Sequence, residues 1–570
     1  MNTIDAIRSY IDLMLADTQL SGMKALLLDN TTTQIISLVY SQTQLLEKEI
    51  YLVERLGKSH ETMSHLKAAV FIQPNEENFK NLKSELSSPK FSEYHIFLSN
   101  IAIGDYVTRL GRIDPHEVVR QVQEYYADYL PINEDFFHLG IDRSLLISAG
   151  DIRDTSLESR KNINRNVTGI LSVLLSMKKK PAVIRYQSSS VACKNICEKV
   201  CKAITSDDIF HFSGSGPMVL IIDRRDDPIT PLLTQWTFQA MVHELLGINN
   251  NRVSLKGAKG IKKDLEEVVL SIVQDEFFAK NKDANFGDLG TSIKGLLDDY
   301  QKKSKMNENI TSIEQMQEFL ERFPAFRSQA INVSKHVAVM GELARLTDQF
   351  SLLDISALEQ EIACSSDHGS HKRELFEKIA NPKIQSTDKI RMCVLYLLRY
   401  ENYNELIIIK AKLSEAGITS NQVIILDHIL KYAGESKRTP GLFSDGGIFN
   451  KMVKSVQTSI NGVENVYTQH VPLLSTTLDS IVKGKLKDSA YPEMTSYSKL
   501  NKNNNNIKEI IVYMVGGATY EEATTVSAFN SANPEYRVIL GGSCIHNSTS
   551  FTREILKTFA TNNQPSARVN

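Results

Sequence analysis

Ile222-Asp223-Arg224-Arg225-Asp226-Asp227-Pro228-Ile229-Thr230-Pro231-Leu232-Leu233 is the stretch on which the reading of this chain turns. It follows an apolar strand, Met218 to Ile222, and runs into an amphipathic segment, Gln235 to Ile248, that carries the only Trp, Trp236. Two prolines fix the turn between them. A run of charges at a strand end has the look of an active site. It lacks a glycine-rich phosphate loop, metal-spaced ligands and a nucleophile beside a base. Two arginines interleave the carboxylates, and mutual pairing keeps all of them ionised rather than splitting their pKa values for acid–base work. Asp223, Arg224, Asp226, Asp227 and Pro231 are therefore read as a structural keystone.

On the N-terminal side of this block strands and helices alternate. Ile4, Ile7, Ile11, Met14 and Leu15 form a helical stripe, and Met23 to Asp29 reads as a buried strand. A helix from Thr43 to Lys48 leads to strand Ile50 to Val53, and Leu66 to Ile72 and Tyr94 to Leu98 supply two more. Short β runs separated by helices predict a parallel, doubly wound sheet. Arg165 to Met177 is a further helix, closed by three lysines and Pro181.

From about residue 236 to 475 the pattern is mostly helical. Phe286, Leu289, Ile293, Leu296 and Tyr300 fall at three- and four-residue steps, as do Ile313, Met316, Leu320 and Phe323, and Val333, Val337, Met340 and Ala344. Such seams pack on each other or on a foreign helix. Pro324 is expected to break or kink the helix between the second and third. Beyond 475 strands return: Ile510 to Val515, ended by Gly516-Gly517, then Arg537 to Leu540, ended by Gly541-Gly542. This return predicts one sheet built from both sides of a helical insertion. Lys502 to Asn506 has no core-forming residues and is read as a disordered loop.

Other candidate sites have plainer readings. The glycine pairs could present amides to a phosphate, but neither matches a dinucleotide fingerprint, and tight turns account for both. Cys193, Cys197 and Cys201 stack on one helix face with Val200 and Ile204 as a core stripe, not a metal set. His243-Glu244 has no second His at the offset a metalloprotease needs. The expectation is no metal and no cofactor.

Length and composition bound the rest. A chain of 570 residues holds roughly three or four domains. With 42% apolar residues it can build proper cores. A net charge of -2, from 65 basic and 67 acidic residues, gives no reason to expect a nucleic-acid partner. Six scattered cysteines favour a reducing compartment. No apolar run approaches the ~20 residues of a membrane span, so membrane association is expected to come through a partner.

The 222 to 251 block resembles the signature of the SM family, the syntaxin-binding, Sec/Munc-type regulators of SNARE-driven fusion. So do Gly462-Val463-Glu464-Asn465-Val466-Tyr467-Thr468-Gln469-His470, Ile511 to Glu522 and Val538 to Phe551. The resemblance covers nearly the whole chain and is strongest to the vacuolar-protein-sorting branch of endosomes and the trans-Golgi. It implies an α/β fold in a three-domain arch around a central cleft, with doubly wound parallel sheets in domains 1 and 2 and a mostly helical domain 3 bearing a long hairpin. Domain 1 would span 1–130, domain 2 131–235 and 475–570, domain 3a 236–355 and domain 3b 356–474. The implied partner is a Qa-type syntaxin within an assembling SNARE complex, with tethering factors as a further class. The implied protein is a monomer without catalytic activity, cytoplasmic and peripheral to Golgi, endosomal and vesicle membranes.

Three surfaces follow from the resemblance. An outer groove of domain 1, along Ile103 to Tyr126, would take the syntaxin N-terminal peptide through Val107, Leu110, Val119, Val122 and Glu124, and is read as a broken helix pair. Glu54 and Arg55, after strand Ile50 to Val53, would face the central cleft. The hairpin from Phe286 to Phe350 would template SNARE helices through Leu296, Tyr300, Leu320, Phe323, Pro324, Val333 and Val337. Holding two helices in register lowers the nucleation cost of a coiled coil. The competing readings are an α/β enzyme or nucleotide-binding protein using the strand-end cleft near Asp223 to Asp227, and a structural adaptor in a tethering complex.

Overall fold

Strand β1 (Lys24–Leu28) is fully buried because Ala25, Leu26, Leu27 and Leu28 meet protein on both faces. It is the second strand of a five-stranded sheet ordered β2-β1-β3-β4-β5, with β2 Ile50–Arg55, β3 Lys67–Ile72, β4 Tyr94–Leu98 and β5 Val119–Glu124. Every pairing in it is parallel, and the order reverses beside β1, as in doubly wound folds. Buried runs such as Ala68 to Ile72 fit strands covered on both faces. The computed structural model describes residues 1–16, 18–59, 61–102, 104–149, 156–206, 209–212, 216–308, 313–439, 442–443, 466–494, 497 and 507–560, and among these not the side chains of 303–328.

A second sheet has six strands in the order β6-β7-β13-β12-β9-β8, from β6 (Leu130–Asn133), β7 (Phe136–His138), β8 (Val183–Tyr186), β9 (Met218–Asp223), β12 (Glu509–Val515) and β13 (Arg537–Gly542). Its centre joins β9 to β12 in parallel, Ile510 opposite Met218 and Val515 opposite Asp223. The sequence predicts a parallel sheet; this one is parallel through β8, β9, β12, β13 and β7 and departs from it where β6 and β7 form an antiparallel pair. Asn133 and Phe136 are too close in sequence for a crossover helix, so the chain can only double back.

Both sheets lie in one compact unit, Met1–Arg224 with Ser480–Ala518 and Val526–Ile545. Asp128 ties them together. Its carboxylate accepts from Gln73 Nε2 at 2.7 Å and Asn100 Nδ2 at 2.8 Å and pairs with Arg165 at 2.9 Å. The cysteine stripe is core, with Cys193 and Cys197 at 0% exposure on the helix Val191–Ser206. The glycine pairs have steric explanations. Gly516 and Gly517 have φ of 87° and 96°, and a Cβ on Gly541 would sit 2.1 Å from the Phe137 ring. The Gly516 amide is already spent on Ser543 Oγ at 3.2 Å.

The second unit comprises Arg225–Asp479, Thr519–Thr525 and His546–Asn570. Its described residues are mostly helical, with one antiparallel strand pair, β10 (Arg252–Ser254) and β11 (Glu267–Val269). Two long helices, Phe286–Glu308 and Ile313–Gln349, pack against each other. The second runs through Pro324 without a break. One missing N–H removes a single rung, which flanking turns on both sides can bridge. The expected seam of Val333, Val337, Met340 and Ala344 is out of register. Val333, His336, Val339 and Leu343 are the buried set, and Val337 is 40% exposed. His336, a residue an apolar count passes over, turns this face inward. The Lys502 to Asn506 stretch lies outside the described residues.

Candidate partner-binding surfaces

The charged signature divides between the two units, and each half is anchored in its own. In the first, Asp223 accepts from Ser190 Oγ at 2.6 Å, its amide donates to Gln187 Oε1 at 2.9 Å, and fully buried Arg224 reaches the Met514 sulfur. In the second, Asp227 accepts from the Thr230 amide at 3.0 Å, Thr230 Oγ1 at 2.7 Å and the Leu473 amide at 3.1 Å. Asp226 accepts from the amide and hydroxyl of Thr439. Pro231 sits in a buried 3-10 turn, Thr230–Leu232. His470 contacts Thr230 Oγ1 at 3.0 Å, and burial lowers its pKa, so it stays neutral. These carboxylates act as acceptors, Asp227 closing the turn at Thr230 and all three holding segments distant in sequence, a structural use rather than an acid–base pair.

Trp236 donates Nε1–H to Ser356 Oγ at 2.8 Å and packs near Phe286 and Tyr467. Behind it Arg391 collects three carboxylates: Glu359 at 2.8 Å, Asp388 at 3.0 Å and Glu244 at 3.4 Å. Burial pushes Glu244 and Glu359 upward against the pull of the one guanidinium. The sequence gives no hint of this cluster, because its members lie far apart along the chain.

The first unit's outer surface departs from the expected helix pair. Tyr106–Leu110 is a single short helix, and Val119–Glu124 is β5, an edge strand paired, among the described residues, only to β4. Pro115 and the carboxylate of Asp114, which accepts from the Val118 and Val119 amides, favour extended chain there. Val107 is 49% exposed. Leu110, expected as an anchor, is 3% exposed and belongs to the core with Phe79, Leu82 and Tyr106. Val119 and Val122 are half-buried against that same core. Glu124 accepts from the Ala102 amide at 2.8 Å and from Tyr126 O–H at 3.3 Å. Arg109, lying over Phe79, makes a two-point contact with Glu76 at 2.7 and 2.9 Å, and that contact lowers the Glu76 pKa.

On the opposite edge of that sheet, Glu54 is half-buried and Arg55 exposed. The alternation of β2 puts Tyr51 and Val53, 57% and 45% exposed, on the same face as Arg55. These two apolar residues are the ones the sequence reading missed, although the alternation is visible in Ile50 to Arg55.

In the second unit Leu296 and Tyr300 are half-buried. Leu296 lines a groove of about 810 Å³ with Val269, Phe277 and Ile331. Val333 faces inward, Val337 outward, and Leu320, Phe323 and Pro324 lie on the long helix with side chains outside the described set. The base of this helix is pinned by Asp275. That carboxylate caps the helix Glu276–Asn281 through the Phe278 amide at 3.0 Å and accepts from Lys335 and from His336 Nε2, the latter at 2.8 Å. Burial alone would raise its pKa. The His336 and Lys335 contacts outweigh burial and hold it well below the carboxylate range. Burial lowers His336, which fits a neutral ring donating through Nε2 between Phe238 and Phe277.

With this geometry in place, the chain's kinship is plain: it belongs to the Sec1 family, whose model matches residues 24–554. It is 42% identical over 565 residues to vacuolar protein sorting-associated protein 45 of Dictyostelium discoideum, covering 99% of this chain and 98% of that one. The rat protein of the same description is 43% identical over 563 residues, covering 98% and 96%. Among solved structures, the SM protein Vps45 in complex with the Qa SNARE Tlg2 superposes with a TM-score of 0.89 at 38% identity, over 99% of both chains. The SM fold expected from the resemblance is thus the fold of this chain. No helix among the described residues is long and apolar enough to cross a membrane.

Proposed function

We propose that this protein binds a Qa-type syntaxin and promotes SNARE assembly in endosomal, trans-Golgi and vacuolar sorting traffic, without catalytic chemistry. The observation that carries the reading is the likeness, along the full length, to an SM protein solved with a Qa SNARE. Domain 1, residues 1–130, would take the syntaxin N-terminal peptide on the β5 edge, with Val107 as the accessible apolar anchor and Glu124 nearby. Tyr51, Val53 and Arg55 would offer the second contact of that domain. Domain 3a, residues 236–355, would present Leu296, Tyr300 and Val337 to SNARE helices, and the positions Leu320, Phe323 and Pro324 continue the same helix. The protein would work at Golgi and endosomal membranes, held there peripherally.

The test is the rate at which a cognate Qa SNARE zippers with its partner SNAREs, followed by fluorescence transfer between labelled helices. The protein is expected to shorten the lag that nucleation imposes. An unchanged rate at saturating protein would contradict the reading.

A further inference from the structure

A basic loop separates β10 from β11 and has no role in the surfaces described above. Within Lys256 to Lys263 stand four lysines, Lys256, Lys259, Lys262 and Lys263, all exposed. None of them makes an ion pair among the described residues, and Lys256 adds only a Coulombic pull on Glu267. The whole chain carries a net charge of only -2, so four lysines within eight residues are a local concentration of positive charge.

The loop is held out on a firm stem. Val253, Leu255, Val268 and Leu270 are 0–4% exposed, and Leu255 N–H donates to Glu266 C=O at 2.8 Å. Arg252 is committed to Glu267 at 2.7 Å on the stem, and the loop's other acidic residues, Asp264 and Glu266, follow the four lysines. Gly257 and Gly260, with φ of 94° and 76°, bend the loop, and a Cβ on either would meet nothing within 4 Å. This is a projecting, open segment.

We infer that the Lys256 to Lys263 loop docks the protein on the anionic surface of a lipid bilayer. The features favour a membrane over an acidic protein partner. A shaped partner calls for an apolar anchor in a pocket with charges around it. This loop offers exposed lysines around half-buried Ile261, and none of Lys256 to Lys263 lines the groove at Leu296, which suits a diffuse sheet of negative charge. Each lysine near such a surface is worth roughly fivefold in partitioning, and the attraction fades as salt shortens the Debye length.

The experiment is flotation of the full chain with phosphatidylcholine vesicles, with and without phosphatidylserine, without any SNARE. Preferential flotation with the anionic vesicles is expected, reversed by about 1 M salt. Replacing the four lysines together (Lys256→Gln, Lys259→Gln, Lys262→Gln, Lys263→Gln) should weaken it by about several hundredfold, with the melting temperature unchanged. Lys410→Gln with Lys412→Gln, which removes lysines already paired to Asp427 and Glu415, should leave flotation intact. Equal flotation with neutral and anionic vesicles, or full binding by the four-lysine variant, overturns the inference. So does a variant that loses binding to acidic SNARE helices while the original chain ignores anionic vesicles; that result would assign the loop to a protein.

Discussion

Asp275 shows how one carboxylate can fix a long helix to its base. Replacing it by Asn keeps the volume and the capping oxygen but removes the charge that Lys335 and His336 Nε2–H answer. A loss of about 2 kcal/mol is expected, the usual scale for a buried hydrogen bond to a charged group. The sign of its pH dependence follows from the depressed pKa. The stabilisation is complete above the unfolded carboxylate value, about 4, and is lost as pH falls further towards the folded value. Urea titrations of the wild type and Asp275→Asn should therefore differ fully at neutral pH and converge in acid. Arg391 is the harsher case. Arg391→Met strands Glu244, Glu359 and Asp388 without their cation, and a cost of about 3–5 kcal/mol is expected in the same titration.

Elements with a strong period were legible in the sequence. The apolar run Tyr94 to Leu98 coincides with β4, and the runs at Ile510 and Arg537 match β12 and β13 to within two residues. The 103 to 126 stretch was not, because its valines recur at spacings a helix and an edge strand can both use. What decides for a strand is pairing with β4, a long-range contact no local pattern carries. The same limit explains Leu110, whose apolar character is equally consistent with a groove and a core. The distinction is testable. Leu110→Arg should cost several kcal/mol by burying a charge among Phe79, Leu82 and Tyr106. Val107→Arg, on the exposed side of the same turn, should fall within about 0.5 kcal/mol of wild type. Thermal melts of the two variants would separate core from surface.

At the scale of the molecule, the six-stranded sheet is the main consequence of the topology. β12 and β13 stand between β7 and β9, yet they come from residues 509–542, after the helical insertion. A chain ending at Asp479 would leave β9-β8 and β6-β7 as separate pairs with no centre, and two-stranded pieces are marginal alone. Such a truncation is expected to lose protease resistance throughout 131–224 as well as at its new end, and retained resistance would contradict this assignment. The insertion also places the candidate syntaxin-peptide edge in one unit and the candidate SNARE template in the other, so a binding defect can be assigned by unit. The measurement closest to the central claim is calorimetric titration of the full chain with the cytosolic domain of an endosomal Qa syntaxin, comparing wild type with Val107→Arg. The account predicts saturable binding by the wild type, weakened about tenfold or more by Val107→Arg at an unchanged melting temperature. Absence of binding by the wild type would contradict it.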